Sequence, residues 1–206
     1  MITGRDVKMN ELKEPLQEGP GDAELLRQFQ NGDDKAFEKL IKKYEERLFN
    51  TILGMLRNHH EAEDVYQDML LKVYRKLPGF RGESGLFTWL YRVSVNTTWD
   101  HLRKRKRRPA ISLDAAIEEK RINPMKLAAK GDGPGGEAGW RDIGEKVTQA
   151  LEGLSPKYRV ILQLKEEDGL SYEEIAKVLG CSIGTVESRL FRARAKLKKK
   201  LEPFLK

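Results

Sequence analysis

Apolar residues recur along this chain at intervals of three and four, the spacing of helices buried on one side, and alternating strand-like runs are nearly absent. Asp22 is placed to cap a short helix ending at Gln30, where Asn31-Gly32 breaks the pattern. Asp33 or Asp34 opens a longer helix to about Arg57, with Phe37, Leu40, Ile41, Tyr44, Leu48, Ile52 and Met55 on one face. Asn58-His59-His60 reads as a turn. From about Glu61 to Leu77 a third helix carries Ala62, Val65, Met69, Val73 and Leu77 on its apolar side, and Pro78-Gly79 stops it. Asp64, Gln67, Asp68, Leu71 and Arg75 share the opposite side. A leucine among two carboxylates and an amide reads as a partner surface or, equally, as a solvated face with one exposed leucine.

After the turn at residues 78–85, a helix from Leu86 to about Arg107 has two apolar stripes. Leu86, Trp89, Leu90, Val93 and Thr97 form the first, assigned to the core. Tyr91, Val95, Trp99 and Leu102 form the second, flanked by Arg92 and Arg103. Rings beside arginines suit unpaired bases, which stack while phosphates meet cations; a helix buried on two sides is the other reading. Six basic residues, Arg103 to Arg108, precede Pro109. Glycine- and proline-rich composition then marks residues 109–140 as a linker. A helix from about Ile143 to Leu151 follows, and Ser155-Pro156 opens another that runs to about Asp168, ended by Gly169.

The last stretch is the most informative. Ser171 and Glu174 form a capping box for a helix starting at Tyr172, which Gly180 stops. Ser182 caps a second helix to about Lys200. On it Val186, Leu190, Ala193 and Leu197 make a buried stripe, and Thr185, Ser188, Arg189, Arg192 and Lys196 a neighbouring one. Hydroxyls and guanidinium groups on that second stripe can reach base edges, with lysines further along meeting phosphates. The pair reads as a helix-turn-helix.

Composition fits this without deciding it. Over 206 residues, 34% are charged and 39% hydrophobic, so the core is modest and divided. A net charge of +7 suits a polyanionic partner. One cysteine permits no intrachain disulfide, which fits a reducing cytoplasm. No apolar run is long enough to cross a bilayer, so no membrane insertion is expected, and no signal peptide is visible. His59, His60, Glu61, Glu63 and Asp64 point in different directions and lack a completing ligand, so no metal site is assigned. Cys181 reads as a small packing residue. No phosphate loop, nucleophile elbow or zinc-protease motif occurs, so no catalytic residue and no cofactor is expected. The expectation is an all-α protein of two small helical domains: a leader at 1–21, a first domain at 22–108, the linker at 109–140, and a second domain at 141–206.

Four segments, in order, resemble the extracytoplasmic-function sigma factors, bacterial transcription initiation factors, and most closely their sigma-E-like branch. They are GDDKAFEKLIKKY, EDVYQDMLLKVYRKL, FRGESGLFTWLYRVSVNTTWDHLRKRKRR and LKEEDGLSYEEIAKVLGCSIGTVESRLFRARAKL. The resemblance implies that Asp64, Gln67, Asp68 and Leu71 dock on the β′ clamp helices of core RNA polymerase. It implies that the Leu86 helix and the loop before it open the −10 promoter element, with Asn96 and Phe80 at a flipped-base pocket and Tyr91, Arg92, Trp99 and Arg103 nearby. The recognition helix would read the −35 element through Ser188, Phe191 and Arg192 with Thr185, Arg189 and Lys196. The linker would thread toward the RNA exit path, and an anti-sigma protein would regulate the chain. Glu187 departs from the sigma-E-like pattern, which often has a base-reading arginine there. A two-domain regulator would instead need an effector domain, and a processing enzyme an active site.

Overall fold

The computed structural model describes residues 21–107 and 137–204, without the side chains of 137–143 and 145. The expected leader, apart from Gly21, and nearly all of the expected linker lie outside the described residues. Among the described residues, eight α-helices run in the order α1 (Asp22–Gln30), α2 (Asp34–Leu56), α3 (His59–Lys76), α4 (Leu86–Arg107), α5 (Glu137–Glu152), α6 (Pro156–Leu162), α7 (Tyr172–Leu179) and α8 (Ile183–Leu201). No strand occurs among the described residues.

Local signals place most boundaries. The Asp33 side chain accepts from the Lys35 amide at the start of α2, and Asn58 accepts from the Glu61 amide at the start of α3. Capping by Asn58 draws His59 and His60 into α3, so the expected turn is the helix's first residues. Asp22 behaves differently from expectation. It is the first residue inside α1, where Gly21 holds the cap position, and it buries its carboxylate, which accepts from the Lys43 ammonium and the Tyr44 hydroxyl. The side chain expected as a cap is thus engaged in a tertiary charge-assisted pair. α5 begins six residues before the expected Ile143, and α6 ends in a π turn at Gln163–Glu167.

In the first unit α2 packs against α1, α3 and α4, and α3 packs against α4. Leu40, Leu48, Ile52, Met55, Met69 and Leu90 are fully buried there. Each such side chain contributes about 1.5–3 kcal/mol relative to exposure. In the second unit α8 crosses α5, α6 and α7 around Val160, Ile161, Ile175, Val186 and Leu190. The two units meet in a seam, α2 on α6 and α4 on α7, and their buried residues form one continuous core.

Candidate nucleic-acid and partner interfaces

On α3, Ala62, Val65, Met69 and Val73 are buried while Asp64, Gln67, Asp68, Leu71 and Arg75 all face outward. Leu71 is 56% exposed, so its methyl groups sit in water between acidic and amide neighbours. One turn along, Tyr74 extends this face. Its hydroxyl donates to Asp34 (2.8 Å), and its ring packs against Phe29 and Phe37 at 5.3 and 5.1 Å. The Asp34 carboxylate holds the Tyr74 phenol above its ordinary pKa. The sequence reading passed over Tyr74, although an aromatic three residues after an exposed leucine was the available signal.

Helix α4 divides the predicted −10 set. At about 100° per residue, Trp89, Arg92, Asn96, Trp99 and Arg103 share an arc of about 80°, whereas Tyr91 lies about 120° from its centre. The Phe80 ring packs 5.4 Å from Trp89 at a tilt of 53°, and the Phe80 and Pro78 carbonyls accept from the Gln30 amide, which together fix the loop to α4 and to the end of α1. Asn96 is exposed on the same side, about 10 Å further along the axis. Arg92 is exposed between them and Trp99 is half-buried. Arg103 is also exposed and pairs with Asp100. Phe80, Arg92, Asn96, Trp99 and Arg103 therefore line one side. The second apolar stripe, open between bases and packing on spacing alone, is therefore split: Trp99 borders the exposed side, whereas Tyr91 and Val95 turn into the core. Tyr91 and Val95 are 0% and 1% exposed. In this arrangement the Tyr91 ring is closed to DNA, because the second unit packs over it.

Three contacts tie that seam. The Tyr91 hydroxyl donates to Asp168 Oδ1 (3.0 Å); burial, then the Asp168 charge, holds the phenol protonated well above its ordinary pKa. Arg159 enters the C-terminal end of α2, where its Nε donates to the Gly54 carbonyl (2.8 Å) and Nη2 to the Met55 carbonyl (2.7 Å). Those carbonyls lie in the helix's last turn, so a side chain from the other unit caps α2. Burial and the neighbouring Arg57 push the Arg159 guanidinium down to about 10. Arg57, the one non-glycine described with a left-handed backbone (φ 61°), is held by Glu152 at 2.6 Å. Gly54 admits Gln163: a Cβ there would stand 2.1 Å from its Oε1.

Helix α8 follows a regular cap, Ser182 accepting from the Thr185 amide, after the left-handed Gly180. Val186, Leu190 and Ala193 are buried, and Phe191 and Arg192 straddle the opposite direction, with Phe191 76% exposed. The exposed face is thus rotated toward Phe191 relative to the predicted stripe. Thr185, Ser188 and Arg189 are half-buried. The Ser188 hydroxyl donates to the Thr185 carbonyl (3.1 Å), and the Lys196 ammonium lies 5.7 Å from the Tyr158 ring centroid. Glu187 is exposed and shares a shallow groove with Phe191, Arg194 and Tyr172; Arg194 is itself paired with Glu166 at 2.7 Å.

Comparison with known proteins matches residues 40–108 to the family described as sigma-70 region 2 and residues 144–197 to sigma-70 region 4. The chain is 40% identical over 186 residues to the RNA polymerase sigma-H factor of Pseudomonas aeruginosa, covering 90% of this chain and 96% of that one. It is 35% identical to the ECF RNA polymerase sigma-E factor of Escherichia coli, with the same coverage of 90% and 96%. Among solved structures, the sigma factor RpoE in complex with the anti-sigma factor NepR from Bartonella quintana superposes with a TM-score of 0.65. That match has 31% identity and covers 82% of this chain and 98% of that one.

Proposed function

Because this chain belongs to the extracytoplasmic-function sigma factors of the sigma-70 family, which bind core RNA polymerase and direct promoter recognition and opening, we propose which of its surfaces perform each step. Sigma factors are DNA-binding transcription regulators, and no enzymatic step is assigned. The first domain spans residues 22–108 and the second 141–206, with the first residues of α5 assigned to the second domain's approach.

The outward face of α3, Asp64, Gln67, Asp68 and Leu71 with Tyr74 added, docks on the β′ clamp helices. Burying Leu71 there removes apolar surface from water, and the flanking carboxylates and amide set register. On α4, Asn96 pairs with the polar edge of an extruded base, Trp99 and Phe80 offer ring surface, and Arg92 and Arg103 meet phosphates. Melting needs no hydrolysis, because capture of unpaired bases supplies the energy. On α8, Phe191 and Arg192 enter the −35 major groove first, with Thr185, Ser188, Arg189 and Lys196 flanking them. An anti-sigma protein binds over these surfaces; the Bartonella relative solved with its anti-sigma factor supports this.

The observation that carries the reading is Asn96, exposed on the side of α4 where Phe80 closes the loop. Asn96→Ala should leave core binding and duplex −35 binding intact while sharply reducing open-complex formation, read by permanganate reactivity of promoter thymines. Normal opening by the folded variant overturns the assignment.

A further inference from the structure

One carboxylate borders the exposed arc of α4. Asp100 is the only acidic residue in that helix. It lies one turn beyond Asn96 on the same face, about 40° around and about 6 Å along the axis. A phosphate approaching Asn96 therefore meets an anion, which by itself weakens binding. Helix stability gives little reason for it, because exposed ion pairs add almost nothing to folding.

Asp100 gathers cations from two helices. It pairs with the Arg103 guanidinium on its own helix and, at 3.6 Å, with the Lys72 ammonium of α3. Lys72 is anchored twice, since its Nζ also donates to the Thr97 hydroxyl at 3.2 Å. That hydroxyl in turn donates to the Val93 carbonyl at 2.8 Å, which fixes its direction. Lysine and arginine side chains have many rotamers and, unheld, would follow any path of the DNA backbone. Here both cationic heads converge one turn from Asn96, so a phosphate meets them at a set distance from the amide.

We propose that Asp100 is a positioning residue for the −10 strand, holding Lys72 and Arg103 so that the backbone is gripped in a single register relative to Asn96. Phosphate contacts set register while base contacts specify, so a fixed grip favours the strand whose base Asn96 takes. The carboxylate also cancels one of the two charges, which keeps sequence-independent binding low. The role rests on the assignment of the Asn96 face to the −10 strand.

Binding of a labelled −10 single strand to the assembled holoenzyme tests it, with core polymerase alone as background. The matched strand is the one that the unsubstituted holoenzyme selects from a random pool. Asp100→Asn keeps the shape and removes the charge. Affinity for scrambled strands should rise about fivefold, the strength in water of one unit charge about 4 Å from another. The salt slope should steepen by about 0.7, the value for one more phosphate engaged. Matched-strand affinity should rise less, because register is lost as charge is gained, and discrimination should fall about threefold, the scale of one exposed contact. Asp100→Glu, which keeps the charge, should hold scrambled-strand affinity at its original level. Thr97→Val changes no charge; by freeing Lys72 it should weaken the matched strand about twofold and leave scrambled strands unaffected. Equal rises on both strands in Asp100→Asn would make Asp100 bulk charge only, and unchanged scrambled-strand binding would remove even that; either overturns the proposal. If the unsubstituted holoenzyme selects no strand, the face assignment falls, and the register with it.

Discussion

Two kinds of side chain decide this molecule at the scale of single residues: those whose partners lie nearby in sequence and those whose partners do not. Arg192 is exposed opposite the buried stripe of α8. Arg192→Ala should cost about 1–3 kcal/mol of discrimination between −35 sequences. Lys198→Ala should weaken binding to all sequences alike and flatten the salt dependence. Titrations of matched and scrambled duplexes over a range of salt check both, and equal losses on every duplex would make Arg192 a phosphate contact only. Asp22 shows the other kind. Its position and chemistry suit a helix cap, yet its carboxylate is buried against Lys43 and Tyr44. Asp22→Ala should therefore lower stability by about 1–3 kcal/mol in urea unfolding, more than loss of an exposed cap would. Tyr91 also finds its partner, Asp168, 77 residues away, and no periodicity in α4 could reveal that.

Helix ends were the most legible elements, because their causes are local. The capping box at Ser171 is present as predicted: the Ser171 hydroxyl accepts from the Glu174 amide (3.1 Å), and the Glu174 carboxylate accepts from the Ser171 amide (2.8 Å). Ser171→Ala should cost about 1 kcal/mol in thermal or denaturant unfolding. The apolar stripes of α2, α3 and α8 likewise mark buried faces, because one packed side imposes one spacing. Less was legible where an element meets two neighbours. The two stripes of α4 run along two largely buried flanks, and the exposed arc lies between them, at Arg92, Asn96 and Arg103. The exposed face of α8 is turned toward Phe191, and on the other flank Lys196 lies over the Tyr158 ring of α6, a contact that sequence spacing does not encode. The polar side of α3 carries its own prediction. Asp64→Ala with Gln67→Ala should weaken core-polymerase binding while circular dichroism stays unchanged, and undiminished affinity would remove this face from the interface.

At the scale of the whole molecule, the sequence divides into two helical domains, and the structure joins them through a shared core. That junction follows from partners far apart in the chain, so neither composition nor motif announced it. The central claim is that one chain, through α3, α4 and α8, turns core polymerase into a promoter-specific, strand-opening enzyme. The most direct measurement is runoff transcription by purified core polymerase on a library with randomised upstream and downstream elements at fixed spacing. With this chain added, a defined transcript should arise from a selected −35 and −10 pair, and Asn96→Ala should abolish it while the polymerase complex still forms. No selection of paired elements, or an equal transcript from the Asn96→Ala protein, would contradict the account.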